Sequence, residues 1–156
     1  MNITTGELAP QFQFVTGNGD IMRLSDFQGK YVVLYFYPRD LTPSCTAQAC
    51  DFRDHFEEFT LLNVVIIGIS TDPMKTHGKF IKKYNLPFLL VSDEDHAISE
   101  LYGAWKLKSM YGKTYMGIER SSFLINPKGI LIHEWRKVKV PGHISNILKY
   151  LKDVIA

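Results

Sequence analysis

The run Tyr31-Val-Val-Leu-Tyr-Phe-Tyr37 constrains the fold more than any other feature of this chain. It is continuous, apolar and rich in β-branched and aromatic residues. Such a run reads as a strand buried on both faces, the pattern of parallel sheets. Val64-Val-Ile-Ile-Gly-Ile-Ser70 repeats the pattern, and Phe88-Leu-Leu-Val-Ser92 gives a third, shorter strand. Parallel strands need crossover connections, usually helical. Thr42-Pro43 opens the first: Thr is a good N-cap and Pro is favoured at the first helical position. Phe52, Phe56 and Phe59 then give that helix an apolar stripe through to about Leu62. Asp72-Pro73 caps and starts a second helix, with Phe80, Ile81 and Tyr84 on its apolar side, and His96 to Tyr102 reads as a third, short one.

The two ends follow a different pattern. Phe12 to Val15 and Ile21 to Arg23 flank Gly17-Asn-Gly-Asp20, a hairpin signal. Ser121-Ser-Phe-Leu-Ile125 and Ile130-Leu-Ile-His-Glu-Trp135 flank the turn Asn126-Pro-Lys-Gly129, so they predict a hairpin of antiparallel edge strands. A last helix runs from about His143 to Val154, with Ile144, Ile147, Leu148, Leu151 and Ile155 on one side. No repeat or linker interrupts the 156 residues, which predict one domain over residues 1–156. The order predicts an α/β fold: a central mixed, mainly parallel sheet, helices on both faces and an N-terminal β-hairpin.

A net charge of +2 is too small to argue for nucleic acid as a partner. Met1-Asn-Ile-Thr-Thr-Gly-Glu7 lacks the basic start and apolar core of a signal peptide. The longest strongly apolar stretches are too short to span a bilayer. The expectation is a cytoplasmic protein with no membrane partner. The five histidines, at 55, 77, 96, 133 and 143, have no ligand-like spacing. They read as scattered surface residues, and no metal or other cofactor is expected. Asp93-Glu94-Asp95 reads as the cap of the short helix that follows. Gly17 and Gly19 lack the third glycine and the strand-to-helix setting of a phosphate loop.

Two cysteines remain, Cys45 and Cys50. A bond between them would close a very small loop and remove little chain entropy, so it reads as chemical rather than structural. In open α/β sheets sites lie beyond the carboxyl ends of strands. Cys45 sits there, just past the Tyr31–Tyr37 run and in the first helical turn. A helix N-terminus and a nearby cation favour the thiolate, which is the nucleophilic form. Arg39 is close in sequence, and Arg120 begins a later strand that can reach the same end. The alternative, a small buried hydrophobe, fits a loop-to-helix junction poorly. Cys50 lies five residues on, about 8.6 Å away between Cα atoms in an ideal helix. A disulfide needs less than about 7 Å. The two cannot bond while the helix is intact, and position alone leaves Cys50 open between partner and packing residue. Trp105, Tyr111 and Tyr115 precede Arg120, either as a partner or substrate surface or as packing over the site.

Pro38-x-x-x-Thr42-x-x-Cys45 resembles the active-site signature of the peroxiredoxins. The longer stretch from Tyr35 to Asp54 resembles the bacterioferritin comigratory protein, or peroxiredoxin Q, subfamily. Gly68-Ile-Ser-Thr-Asp72, Leu90-Val-Ser-Asp-Glu-Asp-His96, Gly112-Lys-Thr-Tyr115 and Gly117-Ile-Glu-Arg-Ser-Ser-Phe-Leu-Ile125 extend the match over nearly the whole chain. The resemblance implies a thioredoxin-like fold and a thiol-dependent peroxidase, without a cofactor, as a monomer or weak dimer. It makes Cys45 the peroxidatic cysteine and Cys50 the resolving one, joined by a disulfide during turnover. Pro38, Thr42 and Arg120 fall on the remaining active-site positions, and thioredoxin is the implied electron donor. Ser44 departs from the glycine usual in that subfamily. A general thiol–disulfide oxidoreductase would carry Cys-x-x-Cys, whereas four residues separate the cysteines here.

Overall fold

The computed structural model describes residues 3–155. Met1 and Asn2, where the reading for a signal peptide began, and Ala156 lie outside them. The first elements are the expected antiparallel hairpin, β1 (Gln13–Val15) with β2 (Ile21–Arg23), followed by a 3-10 turn over Leu24–Phe27.

The central sheet contains β3 (Tyr31–Phe36), β4 (Val64–Ser70), β5 (Leu89–Ser92), β8 (Ser121–Ile125) and β9 (Leu131–Trp135), in the order β5-β4-β3-β8-β9. β3–β4 and β4–β5 are parallel, while β3–β8 and β8–β9 are antiparallel. The sheet is mixed as expected, but its pairings divide evenly. The late hairpin does not lie wholly at the edge: β8 sits between β3 and β9. Its burial explains this, because all five of its residues are inaccessible, which an edge strand with a free face would not allow.

β3 shows why its run had to be apolar. Val33, Tyr35 and Tyr37 enter one core, whereas Val32, Leu34 and Phe36 enter the other. The first core lies under α1 (Pro43–Asp54), α2 (Phe56–Leu61), α3 (Met74–Tyr84) and α5 (His143–Ile155). The second lies under the N-terminal segment and the five-residue α4 (Ala97–Leu101).

The helix expected from Thr42 to about Leu62 is two helices. His55, at φ −105° and ψ 9°, leaves the helical region, and its Nδ1–H donates to the Asp51 carbonyl at 2.8 Å. The apolar stripe survives the break, with Phe52 and Phe59 both fully buried. Pro73, not Asp72, holds the cap position of α3; the Asp72 carboxylate instead accepts from the Asp40 N–H at 2.7 Å. Asp93 does serve the helix it precedes. Its carboxylate accepts from the backbone N–H groups of Ile98 and Ser99 at 3.0 and 2.8 Å. Burial nonetheless pushes the Asp93 carboxyl above its usual range, against the opposing pull of those bonds.

The segment before Arg120 holds a hairpin that the periodicity did not reveal, β6 (Trp105–Met110) paired with β7 (Lys113–Ile118). Tyr111 and Gly112 turn it, with φ of 52° and 76°, the conformation of a type I′ turn. One glycine matters to the position of α1. A Cβ on Gly68 would lie 2.7 Å from Leu90 and 2.8 Å from the Tyr35 ring. The absent side chain makes room for Tyr35, which stacks on Phe52 of α1 with centroids 4.5 Å apart. Among the described residues no helix is long and apolar enough to cross a membrane.

Candidate active site

β3 delivers the chain to the carboxyl end of the sheet at Tyr37. Pro38 is half-buried there, and the loop turns at Leu41, which takes a left-handed φ of 65°. Thr42 is extended and Pro43 begins α1, so Cys45 occupies the first turn, where backbone N–H groups are unpaired. Its side chain is 2% exposed and belongs to the first core, yet one cation reaches it. Arg120, between β7 and β8, donates from Nη2 to the Cys45 Sγ at 3.4 Å. Its Nη1 donates to the Gln48 Oε1. Cys45 and Gln48 are three residues apart on a helix and so share a face. Its backbone is held as well, the Arg120 carbonyl accepting from the Val138 N–H at 2.9 Å.

Arg39, the other candidate cation, is exposed and makes no described bond to the thiol. Thr42 is the N-cap by backbone conformation only. Its hydroxyl donates to the Arg39 carbonyl at 2.9 Å instead of accepting from the helix. Its hydrogen is therefore engaged, and its oxygen lone pairs are what the site receives. A cleft beside this loop is lined in part by Pro38, Thr42, Trp105, Tyr115, Met116 and Ile118. Trp105 and Tyr115 thus wall the cleft beside Pro38 and Thr42, while Tyr111, at the hairpin tip, stands in solvent.

Cys50 is half-buried further along the same helix. Both cysteines are free thiols, and α1 is continuous through them.

The reading of the histidines as surface residues fails at two positions. His77 is fully buried and His143 is 4% exposed, each with polar partners. Their partners, Asp40 and Ser122, are 37 and 21 residues away, so no local pattern announced them. Gln48 was legible in principle from its spacing to Cys45; Asp40 and His77 were not.

His143 lies close enough to Arg120 to feel its charge. Burial, with Arg120 adding to it, lowers the His143 pKa to about 4. An unfolded chain titrates this group near the ordinary histidine value of about 6.5. Between these values the unfolded chain binds the extra proton, so stability is full above pH 6.5 and falls as pH drops toward 4. The expected loss is about 3 kcal/mol. Urea unfolding at about pH 7.5 and 4.5 should show His143→Gln losing less stability than wild type across that interval; equal losses would refute this assignment.

The residues from 5 to 134 match the AhpC/TSA family model. Peroxiredoxin Bcp of Bacillus subtilis is 54% identical over 154 residues, covering 99% of this chain and 98% of that protein. Peroxiredoxin Bcp of Escherichia coli is 42% identical, covering 97% of each chain. Among solved structures, a cysteine-to-serine mutant of Xylella fastidiosa PrxQ superposes with a TM-score of 0.92 at 34% identity, over 99% of this chain and 98% of that one. Xanthomonas campestris bacterioferritin comigratory protein gives a TM-score of 0.88 at 39% identity, over 93% and 92%. Such agreement, along the sequence and through the fold that positions Cys45, means that the chain belongs to the AhpC/TSA family, within its Bcp and peroxiredoxin Q peroxiredoxins.

Proposed function

We propose that this chain is a thiol peroxidase in which Cys45 reduces hydrogen peroxide and organic hydroperoxides to water and alcohols. The observation that carries the assignment is the Arg120 guanidinium 3.4 Å from a buried thiol at a helix N-terminus. The Cys45 thiolate attacks one peroxide oxygen; the S–O bond forms as the O–O bond breaks. The departing oxygen carries developing negative charge and takes up a proton to leave as water or alcohol. Arg120 and the free N–H groups of the first turn of α1 are fixed donors for that charge. Thr42, with its hydrogen held by Arg39, accepts from the peroxide O–H and orients it. This reverses the donor role that a threonine hydroxyl would offer if free. Pro38, which has no N–H, shapes the wall and shields the thiolate.

Cys50 then acts as the resolving thiol. Its sulfur attacks the sulfenic sulfur, a disulfide forms and water leaves. The continuity of α1 through both cysteines requires its first turns to unwind for this step. A thioredoxin-type dithiol reduces the disulfide by exchange. The reading extends to antioxidant defence in the cytoplasm, by a single domain over residues 1–156. The Xanthomonas relative is described by its alkyl peroxide reduction activity, which supports organic hydroperoxides as substrates.

The test is peroxide-dependent NADPH oxidation with thioredoxin and thioredoxin reductase. Wild type should turn over many times; absence of turnover with every peroxide tried would end the proposal. Arg120→Ala should lower the second-order rate of peroxide attack by about 10²-fold, the cost of one preorganised donor. A rate equal to wild type would remove Arg120 from the site.

A further inference from the structure

Three buried side chains beneath the active-site loop take no part in the chemistry above. Asp40, in the loop itself, is 4% exposed, and His77, on α3, is fully buried. His77 Nε2 lies 3.0 Å from the Val91 carbonyl, which can only accept, so Nε2 carries a hydrogen. His77 Nδ1 lies 2.6 Å from Asp40 Oδ2, and one proton is shared between them. The Tyr37 hydroxyl donates to the other Asp40 oxygen at 2.6 Å. Burial raises the Tyr37 pKa well above its usual value, so that hydroxyl keeps its hydrogen. Asp72 lies close by, but both imidazole nitrogens are already spent. The group is a hydrogen-bonded network, and its 2.6 Å contact is shorter than the spacing of atoms that share a metal ion.

The network converges on one peptide unit. The Asp40 N–H donates to Asp72 Oδ2 at 2.7 Å, and the Asp72 carboxylate is itself held by the Ser70 hydroxyl at 2.7 Å. The carbonyl of that same Arg39–Asp40 peptide accepts the Thr42 hydroxyl at 2.9 Å. A peptide is planar, so fixing its N–H and the side chain beyond it fixes its carbonyl. The Thr42 hydrogen follows the carbonyl, and the lone pairs offered to a peroxide follow the hydrogen.

We propose that His77 is a positioning residue of the peroxidase: through its bond to Asp40, and together with Asp72, it orients the Arg39 carbonyl and thereby the Thr42 hydroxyl that receives the peroxide O–H. This rests on the peroxidase reading given above. His77 touches neither substrate nor the reacting sulfur; it acts through Asp40 and Thr42.

Two substitutions separate the bond that matters from mere packing. His77→Asn places a carboxamide at the distance of Nδ1, with both a donor and an acceptor for Asp40. His77→Gln places it at the distance of Nε2 and reaches Val91 instead. Each is made in a Cys50→Ser background, so that one thiol is followed. Two rates are measured: oxidation of Cys45 by hydrogen peroxide, and its alkylation by iodoacetamide, which has no O–H for Thr42 to accept. His77→Gln and Asp72→Ala should lower the peroxide rate about tenfold, the effect of one misplaced hydrogen bond, with alkylation unchanged within about twofold. His77→Asn should keep both rates within about threefold of the parent. The proposal is overturned if His77→Gln oxidises at the parent rate, if His77→Asn falls equally, or if peroxide and alkylation rates fall together. Should the His77 variants not fold, Asp72→Ala decides by the same two rates. Failure of the peroxidase reading would appear separately, as a parent that alkylates but is not oxidised.

Discussion

Cys45→Ser should consume peroxide no faster than the uncatalysed background, a loss of at least about 10³-fold. A serine hydroxyl stays protonated at neutral pH and has no sulfenic acid to form, so both the nucleophile and the acceptor of the oxygen atom disappear. The variant should fold. Serine is close to cysteine in volume, and Arg120 can donate to its oxygen as it does to the Cys45 sulfur. A thermal midpoint near wild type, with no peroxide-dependent NADPH oxidation, is the expected pair of results. A folded Cys45→Ser that retains the full rate would end the central claim, because Cys50 would then be the thiol that reduces the peroxide.

Cys50→Ser should separate the two halves of the cycle. The first equivalent of peroxide should still be consumed, and a sulfenic acid should accumulate on Cys45, detectable by a dimedone adduct in intact-mass spectra. Turnover driven by thioredoxin should collapse, because no disulfide is presented for exchange. Wild type given one equivalent of peroxide should instead form an intramolecular disulfide. Its helical circular dichroism should fall, because α1 runs unbroken from Pro43 to Asp54 and must open for the sulfurs to meet. Unchanged steady-state turnover in Cys50→Ser would remove Cys50 from the resolving role.

Much of this molecule was legible as local pattern. β3 and β4 stood out because burial on both faces leaves no room for alternation. The start of α1 stood out because Thr42-Pro43 is cap chemistry acting over two residues. Other features escaped for physical reasons. The break at His55 depends on one residue leaving the helical basin, while the apolar spacing of Phe52 and Phe59 continues across it. The β6–β7 hairpin exposes most of its residues, so no hydrophobic period marked it. β8 was expected at an edge because a hairpin signal tells which strands pair, not what lies on the far side of the pair.

The sequence by itself determined the strands of the central sheet, the helix that bears the thiol, and the five-residue separation that keeps Cys45 and Cys50 apart in an intact helix. All of these are set within a few residues of backbone. Only the tertiary structure decided which cation meets Cys45. Arg120 arrives from 75 residues away because β8 pairs with β3, while the neighbouring Arg39 points into solvent. It also decided that Thr42 gives its hydrogen to Arg39 and that His77 meets Asp40 across 37 residues. Partners so far apart are chosen by sheet register and helix packing, which no local spacing encodes.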